Sequence, residues 1–274
     1  MELQLSNKVA PKTAVVTGSS QGLGQAIAQA LLERGINVIV CSPSLASCRT
    51  AIRGFPPGNN AARAFPVSCD IRSRRSLKRL RRIAEEEFGA IDLWVNNAGL
   101  ALTGPDLVDL PEEDWRQMIE VNLTGTLLAS QVAIEALKDR GGAIYNILGA
   151  GADGIPVPRM GGYATTKAGL TFLTQSLAQE LSGSQITVSG LSPGLIVTRG
   201  FLREHAKLPD AKREEREKVV NLIADHPHTA GRWAAKIIDT NRSNGRFFNW
   251  LTPVKIERRR RLKKPRDILS RYRT

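Results

Sequence analysis

The sequence predicts a doubly wound, parallel α/β sheet with helices on both faces. Short β-branched runs alternate with longer helical patterns through residues 12–191, the signature of strand–helix–strand units. A glycine-rich turn, Gly18-x-x-x-Gly22-x-Gly24, separates the first run from the first helical pattern. The chain has 274 residues, 42% hydrophobic and 24% charged, which suits one α/β domain with a substantial core.

Residues 12–17 read as strand one, and 22–34 as a helix ended by Gly35. Strand two covers 37–41. A short helix at 44–53 and a Pro- and Gly-rich loop at 55–60 lead to strand three at 63–67. A basic amphipathic helix spans 73–88 and stops at Gly89. Strand four is 91–96. A long helix, 112–137, begins after Pro111 and closes before Gly141 and Gly142. Strand five is 143–148, the next helix 162–181, and strand six 185–191. Right-handed crossovers put the carboxyl ends of these strands on one rim, where ligands bind. Beyond Pro193 and Gly194 the pattern changes: 201–224 is charged and helical, 228–239 suits a second helix, and 245–251 a seventh strand.

No apolar run reaches the roughly 18–20 residues that a membrane-spanning helix needs. Residues 1–12 carry neither a signal-peptide core nor an Arg- and Ser-rich transit pattern. Cys41, Cys48 and Cys69 form no disulfide framework and no metal spacing; a reducing compartment and no metal are expected. The net charge of +13 is uneven. Residues 255–274 hold ten basic residues against Glu257 and Asp267, a local balance of +8.

Glycines between a strand and a helix let the backbone approach a pyrophosphate, while the helix N-terminus offers N–H donors and positive potential. The turn therefore predicts a Rossmann-type dinucleotide site, with Gly18, Ser20, Gln21, Gly22, Leu23 and Gly24 lining it. Asp70, followed by Ile71, ends strand three. Its carboxylate can accept a hydrogen bond from an adenine amino group or cap the helix near Ser73. Asn97, Ala98 and Gly99 end strand four with small residues that permit close cofactor approach. Asn122 lies within the long helix, where Asn is a mediocre former; it either serves a proton-relay water or makes a structural hydrogen bond. Tyr163 and Lys167 stand one helical turn apart on one face. An ammonium beside a phenol favours the phenolate and lowers a pKa otherwise near about 10. Such a Tyr passes a proton to or from a carbonyl oxygen.

These motifs, with Pro193–Gly194, resemble the short-chain dehydrogenases/reductases over roughly residues 10–200. The resemblance implies that Tyr163 is the catalytic acid/base, and that Lys167 holds the nicotinamide ribose and lowers the Tyr pKa. It implies that Asn122 holds a relay water and Thr198 meets the carboxamide. One family member is missing: a Ser about 13 residues before the Tyr, which polarises the substrate carbonyl. No Ser occurs between Ala143 and Tyr163. Gly149 or Ala150 stands there, and removal of such a donor costs about 10² in rate. Backbone amides of this glycine-rich loop, Asp153 and Thr165 are the candidates to replace it, although Asp153 also suits a turn.

The Gly149-Ala-Gly151 stretch, Pro156-x-Pro158-Arg159, the Tyr163–Lys167 helix and Phe247-x-Asn249-x-Leu251-Thr252-Pro253 before a basic tail resemble the chlorophyll b reductases of the non-yellow-colouring type. That subfamily carries a Ser where this chain has Ala152. The resemblance implies NADPH reduction of the C7 formyl group of chlorophyll b to 7-hydroxymethyl chlorophyll. It implies a reductase domain over 1–253, with a core of about 10–200 and a variable substrate region of about 201–253, and a basic tail over 254–274. In a plant or alga it implies the stromal thylakoid surface, and elsewhere the cytoplasm. Homo-oligomers through the helices at 112–137 and 162–181 are expected. Rival readings are a reductase of another aldehyde or ketone, such as an acyl thioester, terpenoid or steroid, and a catalytically weak dinucleotide-binding scaffold or sensor.

An NAD enzyme places an Asp after strand two to hold the ribose 2′-OH. This chain has Cys41-Ser42-Pro43-Ser44 there. NADPH is therefore expected, with Ser42 or Ser44 at a 2′-phosphate and Arg49 and Arg53 one helix onward. The basic tail suits an anionic membrane surface, at about 1 kcal/mol per cation, or a solvated segment. Its paucity of aromatics argues against nucleic acid. Trp94 and Trp115 read as core. Trp233 and Trp250 suit either the core or a pocket for a flat macrocycle.

Overall fold

The computed structural model describes residues 11–206, 208–263 and 266–272. Seven parallel strands form one sheet in the order β3-β2-β1-β4-β5-β6-β9. In chain order the first half is β1 (Thr13–Thr17), α1 (Gly22–Glu33), β2 (Asn37–Ser42), α2 (Leu45–Arg53), β3 (Ala64–Ser68), α3 (Arg74–Phe88) and β4 (Leu93–Asn96). Next come α4 (Glu112–Ile119), a π-helical segment at Glu120–Gly125, α5 (Thr126–Leu137), β5 (Gly142–Ile147), α6 (Gly161–Glu180) and β6 (Ile186–Ser192). The last part is β7 (Leu195–Ile196), α7 (Arg199–Ala206), α8 (Asp210–Ile223), β8 (Ala224–Asp225), α9 (Pro227–Thr240), β9 (Phe247–Asn249) and α10 (Pro253–Arg260).

The central strands are buried on both faces, as a parallel sheet covered by helices requires. Alternation sorts their side chains. Ala14, Val16, Val38 and Val40 face α1, α2 and α9, which supply Ile27, Leu31, Cys48, Ala235 and Ile238. Val15, Ile39, Trp94 and Ile144 face the other way, onto Leu77 and Leu80 of α3, Val132 and Leu137 of α5 and Leu177 of α6. Helix α9 lies close on α1 because Gly231 has no side chain: a Cβ there would meet the Ala26 main chain at 2.6 Å. Strand β3 is an edge strand, and it carries Pro66 opposite Val40.

Local chemistry sets the element ends. The Ser44 hydroxyl accepts from the Ser47 amide to cap α2, Ser73 does the same for α3, and Thr252 caps α10 ahead of Pro253. Asp70 is thus not the cap of α3. The long helix expected over 112–137 is interrupted by the π segment. The charged stretch expected at 201–224 is two helices with Pro209 at the break, and the short parallel pair β7–β8 has no counterpart in the sequence reading. All three cysteines are free and buried. Among the described residues no helix is long and apolar enough to cross a membrane.

The described part of the basic tail packs into the domain. Ile268 and Leu269 are buried with Val197, Val220 and Ala224. Asp225, buried at the end of β8, binds Arg259 at 2.6 Å and Arg266 at 2.9 Å and accepts from the Trp250 indole at 2.7 Å. Lys255 lies 2.7 Å above the Trp250 ring. Burial, reinforced by Arg259 and Arg266 nearby, brings its pKa down to about 8 against the pull of Asp225.

Removal of one partner from a buried ion pair costs about 3–5 kcal/mol. We expect Asp225→Ala to lower the thermal midpoint by roughly 10 °C. Melting followed by circular dichroism reads this, and an unchanged midpoint contradicts a structural role for the tail.

Candidate active site

Strands β1, β3, β4, β5 and β6 all end on one rim, and the sequence motifs meet there. Gly18 has φ +63°, and a Cβ on it would stand 2.7 Å from the Ala98 Cα. Gly24 is as tight: a Cβ would overlap the Asn97 amide and reach the Gly18 carbonyl at 2.6 Å. Asn97 donates to the Thr17 carbonyl at 2.8 Å and the Gly18 carbonyl at 3.2 Å, while Thr17 Oγ1 accepts the Asn97 and Ala98 amides at 3.0 Å each. Ser19, which sequence reasoning passed over, ties the turn to β2: its hydroxyl accepts the Cys41 amide at 3.0 Å and donates to the Val16 carbonyl at 2.6 Å.

No side chain caps α1 and no acidic residue stands in its first turn. Those N–H groups, with the crowded glycines beside them, fit the pyrophosphate of a dinucleotide. Ser20 is half-buried on the turn, Gln21 occupies the N-cap position, and Leu23 packs into the core. Thr198 reaches over the turn, its Cγ2 lying 3.4 Å from where a Gly22 Cβ would be, and its hydroxyl accepts the Phe201 amide at the start of α7. Pro193 and Gly194, φ +78°, lead into that segment.

The adenosine end departs from expectation. Asp70 is held by Arg72, at 2.7 Å through Nη2, which keeps its carboxyl below the usual range. Exposed as it is, the pair is worth at most about 1 kcal/mol. Ile71 is buried, its Cδ1 lying against Gly125. Ser42, expected at a 2′-phosphate, turns inward: its hydroxyl donates to the Ser44 carbonyl at 3.1 Å and meets the Cys48 thiol at 3.2 Å. Ser44 is engaged as the α2 cap. Arg49 and Arg53 lie on the outer side of α2, around a surface hollow with Ile52 and Pro66.

Helix α6 carries Tyr163 and Lys167 to the end of β5. Lys167 is buried and donates from Nζ to the Ile147 carbonyl at 2.9 Å; its ammonium lies 5.6 Å from the Tyr163 ring centre. Burial lowers the Lys167 pKa to about 8 and raises that of Tyr163 to about 12. The expected lowering of the Tyr163 pKa by Lys167 is therefore not seen: burial of the phenol raises it instead. Gly149 lies against the hydroxyl end of Tyr163, where a Cβ would overlap it.

Asn122 is fully buried on the π segment. Its amide donates to the Leu100 carbonyl at 2.9 Å and the Thr166 hydroxyl at 3.0 Å, and its oxygen accepts the Leu100 amide at 2.8 Å. Both amide hydrogens are committed to protein, which is the structural hydrogen bond expected of Asn122 as the alternative to serving a relay water. A Cβ on Gly99 would stand 3.2 Å from the same amide oxygen. Thr166, absent from the sequence reading, donates onward to the Tyr163 carbonyl at 2.7 Å. Its position three residues after Tyr163, on the same helix face, is the signal that identifies it.

Two candidates for the missing hydroxyl drop out. Asp153 is exposed and accepts the Ile155 amide at 3.1 Å, as a turn residue does. Thr165 donates back along α6 to the Gly161 carbonyl at 2.8 Å. Trp233 and Trp250 pack against each other, ring centres 5.7 Å apart, with the Trp250 N–H on Asp225.

Comparison with known proteins agrees with this architecture. A family model described as short chain dehydrogenase matches residues 12–207. The chain is 33% identical over 269 residues to the chlorophyll(ide) b reductase NOL, chloroplastic, of Arabidopsis thaliana, a match covering 93% of this chain and 75% of the relative. It is 30% identical over 266 residues to the probable chlorophyll(ide) b reductase NYC1, chloroplastic, of Oryza sativa subsp. japonica, covering 91% of this chain and 51% of the relative. The chain thus spans about half the length of that second protein. A variant actinorhodin polyketide ketoreductase solved with NADPH superposes with a TM-score of 0.77 at 26% identity, covering 88% of this chain and 97% of the other. Sequence match, strand order and rim geometry agree: the chain is an oxidoreductase that belongs to the short-chain dehydrogenase family.

Proposed function

We propose that the protein is an NADPH-dependent carbonyl reductase acting on the C7 formyl group of chlorophyll b to give 7-hydroxymethyl chlorophyll. The observation that carries the reductase reading is the Tyr163 ring 5.6 Å from the buried Lys167 ammonium, at the rim that also bears the glycine turn. The chlorophyll(ide) b reductase names of the relatives support the substrate. NADPH over NADH rests on the absence of an acid after β2, where a 2′-phosphate would otherwise be repelled.

A bound reduced nicotinamide supplies the hydride to the formyl carbon. Tyr163 gives its proton to the formyl oxygen, and its raised pKa keeps it protonated for that step. Lys167 steadies the phenolate left behind and the ribose hydroxyls, and Asn122 holds Leu100 and Thr166 so that the α6 face stays aligned. With detergent-solubilised chlorophyll b and NADPH, chromatography should show the hydroxymethyl product. Tyr163→Phe should lower kcat by about 10²–10⁴-fold while NADPH affinity is kept. NADPH binding without turnover of any carbonyl would instead favour a binding protein.

The two pKa values fix the sign of the pH dependence. Reduction needs Tyr163 neutral, which holds throughout below about 12, and Lys167 charged, which holds below about 8. We expect kcat/KM for reduction to be level on the acid side and to fall about tenfold per pH unit above about 8. A profile that stays level to pH 10 contradicts the assignment of Lys167.

Helix α10 leaves β9 at the same rim, with Arg258, Arg260 and Arg261 exposed beside Val254 and Leu262. We propose that this face holds the substrate mouth against an anionic membrane, the thylakoid surface in a plant or alga. The full chain should co-sediment with vesicles of anionic lipid and release in about 1 M salt, where the Debye length is about 3 Å. Arg258→Glu with Arg260→Glu and Arg261→Glu should abolish binding; retention by this triple variant contradicts it.

A further inference from the structure

We propose that the main-chain amides of Ala150 and Gly151 polarise the substrate carbonyl in place of a side-chain hydroxyl. The inference rests on the carbonyl reductase reading and extends it to how the oxygen is held.

The loop after β5 is a built turn. The Ala152 amide donates to the Gly149 carbonyl at 3.1 Å, and Gly151, third in that turn, has φ +85°, as a type II turn demands. The two central amides, of Ala150 and Gly151, then point away from the turn. They donate to no protein acceptor among the described residues. Several contacts fix the turn in place. Thr171 donates to the Ala152 carbonyl at 2.8 Å, and the Leu148 amide donates to the Leu191 carbonyl at 2.8 Å. Gly151 lies so close to α6 that a Cβ would stand 2.5 Å from the Ala164 Cβ. The donors are therefore held against the helix that carries Tyr163.

The first residue of the turn touches the Tyr163 hydroxyl itself. A Cβ at Gly149 would overlap that oxygen and stand 3.2 Å from Cζ, so no side chain fits there. Asp153 and Thr165 are committed elsewhere. The turn beside the phenol oxygen offers its backbone instead. Fixed N–H dipoles need no reorganisation as charge develops, which is the condition for strong transition-state stabilisation. The step balances without them as reactants. Hydride from the nicotinamide forms the C–H bond, the C=O π pair moves onto oxygen, and the Tyr163 proton completes the alcohol. The amides donate hydrogen bonds only, and solvent returns the proton to Tyr163.

The test uses the full chain with NADPH and detergent-solubilised chlorophyll b. Lactic acid in place of Ala150, or glycolic acid in place of Gly151, exchanges the N–H for an ester oxygen and leaves the side chain unchanged. Each should lower kcat by about 10²-fold with NADPH affinity and thermal midpoint kept. Asp153→Asn and Thr165→Val, which remove the two side chains committed elsewhere, should each change kcat by less than about threefold, since the oxygen has its donors in the main chain. Esters that leave kcat unchanged, or an Asp153→Asn or Thr165→Val variant slower by about 30-fold or more, overturn the proposal while the reductase reading stands. A wild-type protein that turns over no carbonyl overturns both.

Discussion

The structure hangs on a buried chain of amide hydrogen bonds across the middle of the sheet. Asn96 of β4 donates to Asn146 of β5 at 2.9 Å and to Ser130 of α5 at 3.0 Å. Its oxygen accepts the Trp94 indole at 2.9 Å, and Asn146 donates to Thr174 of α6 at 2.9 Å. Five side chains thus join two strands and two helices with no water between them, and four of these bonds are fully buried. In such surroundings an unmatched polar group costs about 1–3 kcal/mol, so the set forms completely or not at all. The register it enforces, Asn96 opposite Asn146, leads β4 into Asn97 and Ala98 and β5 into Ile147 and Gly149. The loop after β4 and the loop after β5 therefore start from one locked pair.

From that pair outward, the chemistry of the rim follows from close approach. Gly18 lies on Ala98, Gly149 on the Tyr163 hydroxyl and Gly151 on Ala164. Each contact leaves no room for a side chain. Burial of the charged groups at this rim is what pushes Tyr163 and Lys167 in opposite directions, both toward the neutral form. A phenol kept protonated suits donation to a carbonyl better than it suits abstraction from an alcohol, which aligns the pocket with reduction.

Much of this was legible from residues alone. The parallel sheet and the meeting of Gly18, Asn97, Tyr163 and Lys167 on one rim follow from alternation, crossover handedness and helix periodicity, all local signals. What escaped was decided by competition between groups far apart in sequence. Ser42 suits a phosphate by position, but Cys48 and the Ser44 carbonyl are nearer partners. Asp70 suits a helix cap, but Ser73 is better placed and Arg72 takes the carboxylate. Asn122 signals a disturbance in its helix, yet nothing in the residue type specifies a π turn or the Leu100 backbone as partner. The tail reads as a membrane-facing or solvated segment because its charges dominate its composition; Ile268 and Leu269 are only two apolar residues, and Asp225, which receives two of the arginines, lies about 40 residues upstream. Helical and strand periods cannot register a contact of that span.

Pro66 has a consequence beyond its strand. A proline offers no N–H and stiffens the main chain, so the outer margin of β3 is a poor template for any incoming strand. The opposite margin ends at β9, three residues long. A seven-stranded parallel sheet thus leaves little unsatisfied hydrogen-bonding edge at either end. Concentrated solutions of this protein are guarded against edge-to-edge polymerisation by a single imino acid on one flank and by brevity on the other.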